Sequence, residues 1–310
     1  MEFLPDISKW TQALLRWGHV FFAILWVGTS FTFNYLDNKL PKSLKEENTE
    51  AEGILQHSGY YYKLTRYYGS PKEVPKNVII WKYTSYLTFL SGMALLILIY
   101  YVNADILMVD KRVNENISSF LAITISVLSI IGSWLIYDFI CKSKLINYKI
   151  IFPIILLIIG TAIAFGLTKI YGSRFAFLQT GIILGSIMTM NVFFVIAPSG
   201  RKIASAVLKK EILVLTLSLR AKVRSVHNNI ITLLVLFIML SGHTSFVWAS
   251  KYNWIILSML AIIFGTIQYY VNYQKIQTKQ MLKLVEYYST VVFIINLQDI
   301  MALPMKFQKM

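Results

Sequence analysis

Eight apolar runs of about twenty residues, separated by polar stretches, constrain this chain more than any other feature of its sequence. A helix needs about 20 mostly apolar residues to cross the hydrocarbon core of a bilayer. There it must satisfy its own backbone polar groups, because no water is present to do so. The runs cover 11–34, 83–103, 118–140, 149–168, 175–197, 228–248, 253–272 and 285–303. They predict an all-α integral membrane protein, a single polytopic domain over 1–310 built as a bundle of about eight transmembrane helices. The last run is the weakest, since Asn296, Gln298 and Asp299 interrupt it. With 56% hydrophobic residues, 15% charged residues and a mean hydropathy of +0.58, the chain is too apolar for a soluble core.

A net charge of +15 would suggest nucleic acid in a soluble domain. Here the basic residues gather between the apolar runs, where they set orientation instead. Twenty Lys and Arg residues fall in the connections after the first, third, fifth and seventh runs, against eight in the other connections and the two ends. That asymmetry predicts the N-terminus and, if the last run spans, the C-terminus on the outer face, with the 35–82 and 198–227 connections in the cytoplasm. No basic leader or small-residue cleavage site precedes the first run, so it is expected to remain as a span. The 35–82 connection joins a charged half, KSLKEENTEAE, to an aromatic half, HSGYYYKLTRYYGSPKEVP, and its length suits a lid or site element. The single cysteine, Cys141, excludes an internal disulfide and a covalent C-x-x-C-H heme site.

Ionisable groups inside spans are expensive and mark functional candidates. His19 lies about 12 Å from the outer end of the first run and His243 about 8 Å from the same end of the sixth, at 1.5 Å of helix per residue. Two facing spans that each offer an imidazole can hold the iron of a b-type heme. Trp17 and Trp26 would be within reach of the macrocycle. The competing reading makes each histidine a polar contact between helices or a group facing water near the interface.

His227 and His57 belong to the other side, near Arg220, Lys222, Arg224, Asn228 and Asn229, with Asp37 and Asn38 at the inner end of the first run. Guanidinium forks and side-chain amides suit a planar, anionic heterocycle. The same residues also read as a positive-inside anchor, RAKVR, followed by Asn228 as a helix cap. Gly160, Gly181, Gly185 and Ser186 read as close helix packing. There is no phosphate-binding glycine loop, zinc spacing or serine nucleophile elbow, so hydrolytic chemistry has no support.

The runs LLRWGHVFFAILWVGTSFTFNYLDN, WKYTSYLTFLSG, FLQTGIILGSIMTMNVFFVIAPSGRK and RAKVRSVHNNIITLLVLFIMLSGH resemble the membrane domain of bacterial membrane-bound urate hydroxylases. The first run is also similar to the first helix of membrane protoporphyrinogen oxidases and copper-resistance membrane proteins. The resemblance implies an eight-span enzyme of the bacterial inner membrane that oxidises urate to 5-hydroxyisourate. Its electrons would pass through heme b to a cytochrome c, here a separate chain. It departs from the family at Gln179 and near Tyr269, where the family carries histidines, and at Thr84, where it carries a glutamate.

On this reading His227 or His57 is the base, and Arg220, Arg224, Asn228 and Asn229 bind the purine. His19 and His243 ligate the heme iron. His227 and His243 are sixteen residues apart, about 24 Å along a helix, so a single outer heme would be remote from the substrate. Two rivals remain: a heme-bearing electron-transfer subunit without urate oxidation, and a transporter without redox chemistry.

Overall fold

The computed structural model describes residues 7–40, 49–67, 81–209 and 215–273. In chain order the elements are α1 (Ile7–Lys39), the strands β1 (Thr49–His57) and β2 (Tyr60–Tyr67), and α2 (Tyr83–Leu95), which continues as a π-helical stretch, Leu96–Tyr101. A short α3 (Ala104–Leu107) leads to α4 (Ser119–Lys142) and α5 (Ile151–Thr168). Then α6 (Ser173–Asn191) runs through a second π-helical stretch, Val192–Ile196, into α7 (Ala197–Leu208). Finally come α8 (Leu215–Leu240), a 3-10 turn Ser241–His243, the short α9 (Ser245–Trp248) and α10 (Asn253–Tyr273).

Seven helical stretches among the described residues are long and apolar enough to cross a membrane. They coincide with the first seven predicted spans, and the eighth, 285–303, lies outside the described residues. Among the described residues the fold is an all-α membrane bundle carrying one small hairpin.

Two boundaries differ from expectation. Helix α8 begins at Leu215 rather than at residue 228. No Gly or Pro interrupts 215–240, so the basic RAKVR segment prolongs the helix instead of forming a loop. Asn228 is therefore a mid-helix residue and not a cap. The fifth span likewise runs on to Leu208. Pro198, at the start of α7, removes a donor from the ladder, and the π turn ahead of it accommodates that loss.

In the 35–82 connection, β1 and β2 form an antiparallel hairpin, with His57 paired to Tyr60 across Ser58 and Gly59. Both turn residues have positive φ, 51° and 83°, the geometry whose twist matches a two-residue hairpin. Arg66 Nη1 donates to Asp37 Oδ1 at 2.9 Å and so ties the base of the hairpin to the last turn of α1. The charged half of this connection before residue 49 lies outside the described residues.

The residues group into two compact units. Among the described residues, the first draws on 7–16, 91–188 and 230–273. Its core is a buried cluster that includes Phe177, Leu234, Ile238, Leu257 and Leu260. Gly181 of α6 lets that helix approach Ile238 of α8, because an added Cβ would stand 2.5 Å from Ile238 Cγ2. Thr161 and Ser258 share a 2.7 Å hydrogen bond between α5 and α10. In the connection after α5, Tyr171 donates to the Ala122 carbonyl at 2.7 Å. Burial holds that hydroxyl above its ordinary range, so it remains a donor. The second unit draws on the described residues within 17–90 and 189–229, and it contains the hairpin, His19 and the first half of α8.

Candidate functional site

In the second unit, α8 carries Arg224, His227 and Asn228 at spacings of three and four residues, which puts them on one helical face. Arg224, Asn228 and Asn229 are buried, at 5%, 7% and 3% exposure, and His227 is half-buried. Arg220 and Lys222, one turn or less earlier, are exposed. Arg224 is thus separated from the rest of the basic segment, which has the exposure of an anchor.

The partner that organises this face is Asn191, the last residue of α6 before the π turn, and it is fully buried. Arg224 Nη1 donates to Asn191 Oδ1 at 3.2 Å, and Asn191 Nδ2 donates to Asn228 Oδ1 at 2.9 Å. A buried guanidinium is tolerable only when its donors are taken up in this way. Sequence reasoning did not single out Asn191, although a lone Asn in the apolar stretch MTMNVFFVI was signal enough to do so.

His19 lies in the same unit, half-buried on α1. Its Nδ1 is 2.9 Å from the Thr88 carbonyl of α2. A carbonyl only accepts, so Nδ1 carries the proton and Nε2 carries the lone pair. This is the arrangement that orients a metal-ligating imidazole. Thr88 in turn donates its hydroxyl to the Thr84 carbonyl at 2.7 Å, while Thr84 Oγ1 is buried without a hydrogen-bond partner among the described residues. Tyr86, on the same helix, packs against Phe193 of the π turn at 5.4 Å between ring centroids. Trp17 is 67% exposed and stacks on Phe21, and Trp26 is half-buried.

The other expected residues fall elsewhere. His57 is exposed at the tip of the hairpin. His243 is exposed on the 3-10 turn after α8 and belongs to the first unit. Also in that unit, Gln179 is fully buried. It accepts from Ser126 Oγ at 3.0 Å and donates to the Ser126 carbonyl at 3.1 Å and to Ser129 Oγ at 3.0 Å. Tyr101, at the end of the first π stretch, shares a 2.9 Å hydrogen bond with Ser126 and extends the network. Tyr269 is half exposed on α10. Among the described residues, no three His, Cys, Asp or Glu side chains gather as a metal site.

A family model described as urate oxidase N-terminal matches residues 5–299 of the chain. No curated protein and no solved structure matches it.

Proposed function

The chain belongs to the urate oxidase N-terminal family and is a urate-related oxidoreductase with membrane-spanning helices, and from that premise we propose that it oxidises urate to 5-hydroxyisourate at the Arg224–Asn191–Asn228 cluster. The observation that carries this reading is the buried Arg224, held by an amide beside His227 on one helical face. A cation and amides inside an apolar bundle suit a planar anion, whose oxygens accept hydrogen bonds that strengthen where water is excluded.

In the proposed reaction urate and water give 5-hydroxyisourate, two electrons and two protons. Arg224 and Asn228 bind and orient the ring, with Asn229 beside them and Arg220 drawing the anion toward them. His227 accepts a proton from the purine or the attacking water, a role for which imidazole is suited near neutral pH. His57, on the exposed hairpin, is an alternative base if the hairpin closes over the site.

The residues around His19 fit a ligand to heme iron, because the Thr88 carbonyl fixes the tautomer that leaves Nε2 as the donor atom. His243 is proposed as the second ligand. Heme b, when bound, would supply one-electron storage between a two-electron substrate and a separate cytochrome c. The basic residues support an orientation with both termini on the outer face of the bacterial inner membrane.

The test is to purify the protein in detergent and add urate anaerobically with cytochrome c supplied. Reduced b-type bands, reduction of the cytochrome and loss of urate are expected. A folded but colourless preparation would overturn the heme reading. A heme-bearing preparation that consumes no urate would overturn the substrate reading and leave an electron carrier.

A further inference from the structure

Arg174, the second residue of α6, is exposed at the end of the first unit where α6 begins and α8 ends. Its guanidinium lies 5.9 Å above the ring of Trp248, and a Cβ added at Gly242 would stand 3.8 Å from its Nη2. Stacking of this kind uses the face of the guanidinium and leaves its N–H edges for oxygen acceptors. Gly172, two residues earlier, comes close to Asp110, yet that carboxylate is already gripped by Arg112.

Arg16 belongs to the same unit and is also exposed. It lies nine residues after Ile7, about 14 Å along α1, and a bare charge at that depth in a span is costly. Side chains on a helix lean toward its N-terminus, here the nearer boundary, so the long arginine stem can carry the charge back to the level of the headgroups. Both guanidinium groups act electrostatically on the hydroxyl of Tyr100, whose ring packs on Phe175 at 5.1 Å between centroids. Among the described residues neither arginine side chain makes an ion pair or a hydrogen bond.

We propose that Arg16 and Arg174, together with the Tyr100 hydroxyl, form a binding site for the phosphate headgroup of an anionic phospholipid. Charge complementarity carries the proposal: two cations without a carboxylate of their own stand near helix ends, where a bilayer places its phosphates. Leu240 and Phe246, on either side of the turn that carries Gly242, are exposed and lie against the acyl chains. A phospholipid supplies both the oxygens and the chains, and a free anion supplies only the first. The site is independent of the urate and heme reading. Its occupant links α1, α6 and the turn after α8, so occupancy stabilises the fold by mass action.

The test uses the whole protein, stripped of lipid in detergent, with three probes: phosphatidylglycerol, phosphatidylcholine and inorganic phosphate. Native mass spectrometry reads bound lipid, and thermal unfolding reads stabilisation. Phosphatidylglycerol should bind about tenfold or more tightly than phosphatidylcholine and should raise the midpoint further. Arg16→Gln and Arg174→Gln should each weaken phosphatidylglycerol about five- to tenfold and leave phosphatidylcholine unchanged, the scale of one arginine at an anionic surface. Lys251→Gln, which removes an exposed cation elsewhere in the unit, should change neither. If one arginine variant fails to fold, the other carries the test.

Equal binding of the two lipids overturns the proposal. So does a loss in Lys251→Gln as large as in the arginine variants, which would make the attraction a diffuse property of the surface. Inorganic phosphate that protects as well as phosphatidylglycerol would assign the arginines to a free anion, and the lipid site would fall.

Discussion

The Nδ1 atom of His19 lies 2.9 Å from the backbone carbonyl of Thr88, so a main-chain atom of α2 sets the tautomer of an imidazole on α1. The acceptor belongs to the backbone, and the Thr88 side chain is dispensable for it. His19→Ala should abolish the b-type absorbance expected of the purified protein, whereas Thr88→Val should retain it. Reduced-minus-oxidised spectra of the two variants, at matched protein concentration, check the pair. Equal loss of absorbance in both would mean that the Thr88 hydroxyl, and not its carbonyl, supports the site.

Gly181→Ala is expected to destabilise the protein, against the usual trend for helices. Ala is favoured over Gly in a helix interior by about 1 kcal/mol. Here the new methyl would sit 2.5 Å from Ile238 Cγ2 and 3.3 Å from Met239 Cε. Overpacking of a core costs about 1–3 kcal/mol and outweighs the propensity gain. Thermal unfolding in detergent should show a lower midpoint, and adding Ile238→Ala, itself destabilising because Ile238 is buried, should lower it by less than the sum of the two single changes.

Gln179→Leu keeps most of the volume but removes a group that makes three hydrogen bonds with Ser126 and Ser129. The expected cost is about 1–2 kcal/mol, because serines inside a membrane can turn to helix carbonyls once a partner is lost. Ser129 already donates to the Ser126 carbonyl at 2.8 Å, which shows one such alternative. The comparison of unfolding midpoints for Gln179→Leu and Ser129→Ala tests this, with the glutamine variant the worse of the two.

In the connection after α3, the Arg112 side chain grips the Asp110 carboxylate through Nε at 3.0 Å and Nη2 at 2.8 Å, and the Arg112 amide adds a third bond. These bonds hold the Asp110 carboxyl below its ordinary range. A depressed folded value means that the contribution to stability is present above the unfolded carboxylate value, about 3.9. It is lost as pH falls through the lower folded value. Arg112→Ala should therefore shift the acid limb of the unfolding midpoint to higher pH. Superimposable pH profiles would show that the pair contributes nothing.

The Arg66–Asp37 pair is exposed, and such pairs contribute at most about 1 kcal/mol. Arg66→Ala should leave the unfolding midpoint nearly unchanged and should loosen the hairpin. Limited proteolysis around Ser58 and Gly59 is the appropriate readout, with faster cleavage in the variant than in the wild type.

The spans were legible because lipid leaves few solutions: a run of apolar residues of the right length must be a helix. The ends of those helices were not, because the cues point both ways. RAKVR has the composition of a boundary loop, yet nothing in it breaks a helix, and α8 continues through it. The hairpin carried its own signal in the Ser58–Gly59 turn, but the tyrosine-rich strand lacks a clean polar and apolar alternation. Arg224 and Asn228 were named from sequence as purine contacts, yet their link through Asn191 joins residues 33 and 37 positions apart. Only the packing of α6 against α8 within the unit reveals it. Conversely Arg220, chosen from the same motif as Arg224, is exposed because it stands four residues earlier in a helix whose burial begins at Arg224.

The π turn after Asn191 also bears on descent. A π turn in a helix amounts to one residue inserted into a regular α-helix. A relative whose corresponding span is uniformly α-helical should therefore align with this chain only by a single-residue gap between Val192 and Ile196. Without that gap every residue from Ala197 to Leu208 would be paired with one that faces about 100° away, one residue's rotation in an α-helix. A comparison made without that gap would pair residues that point in different directions, and would misjudge which of them had changed.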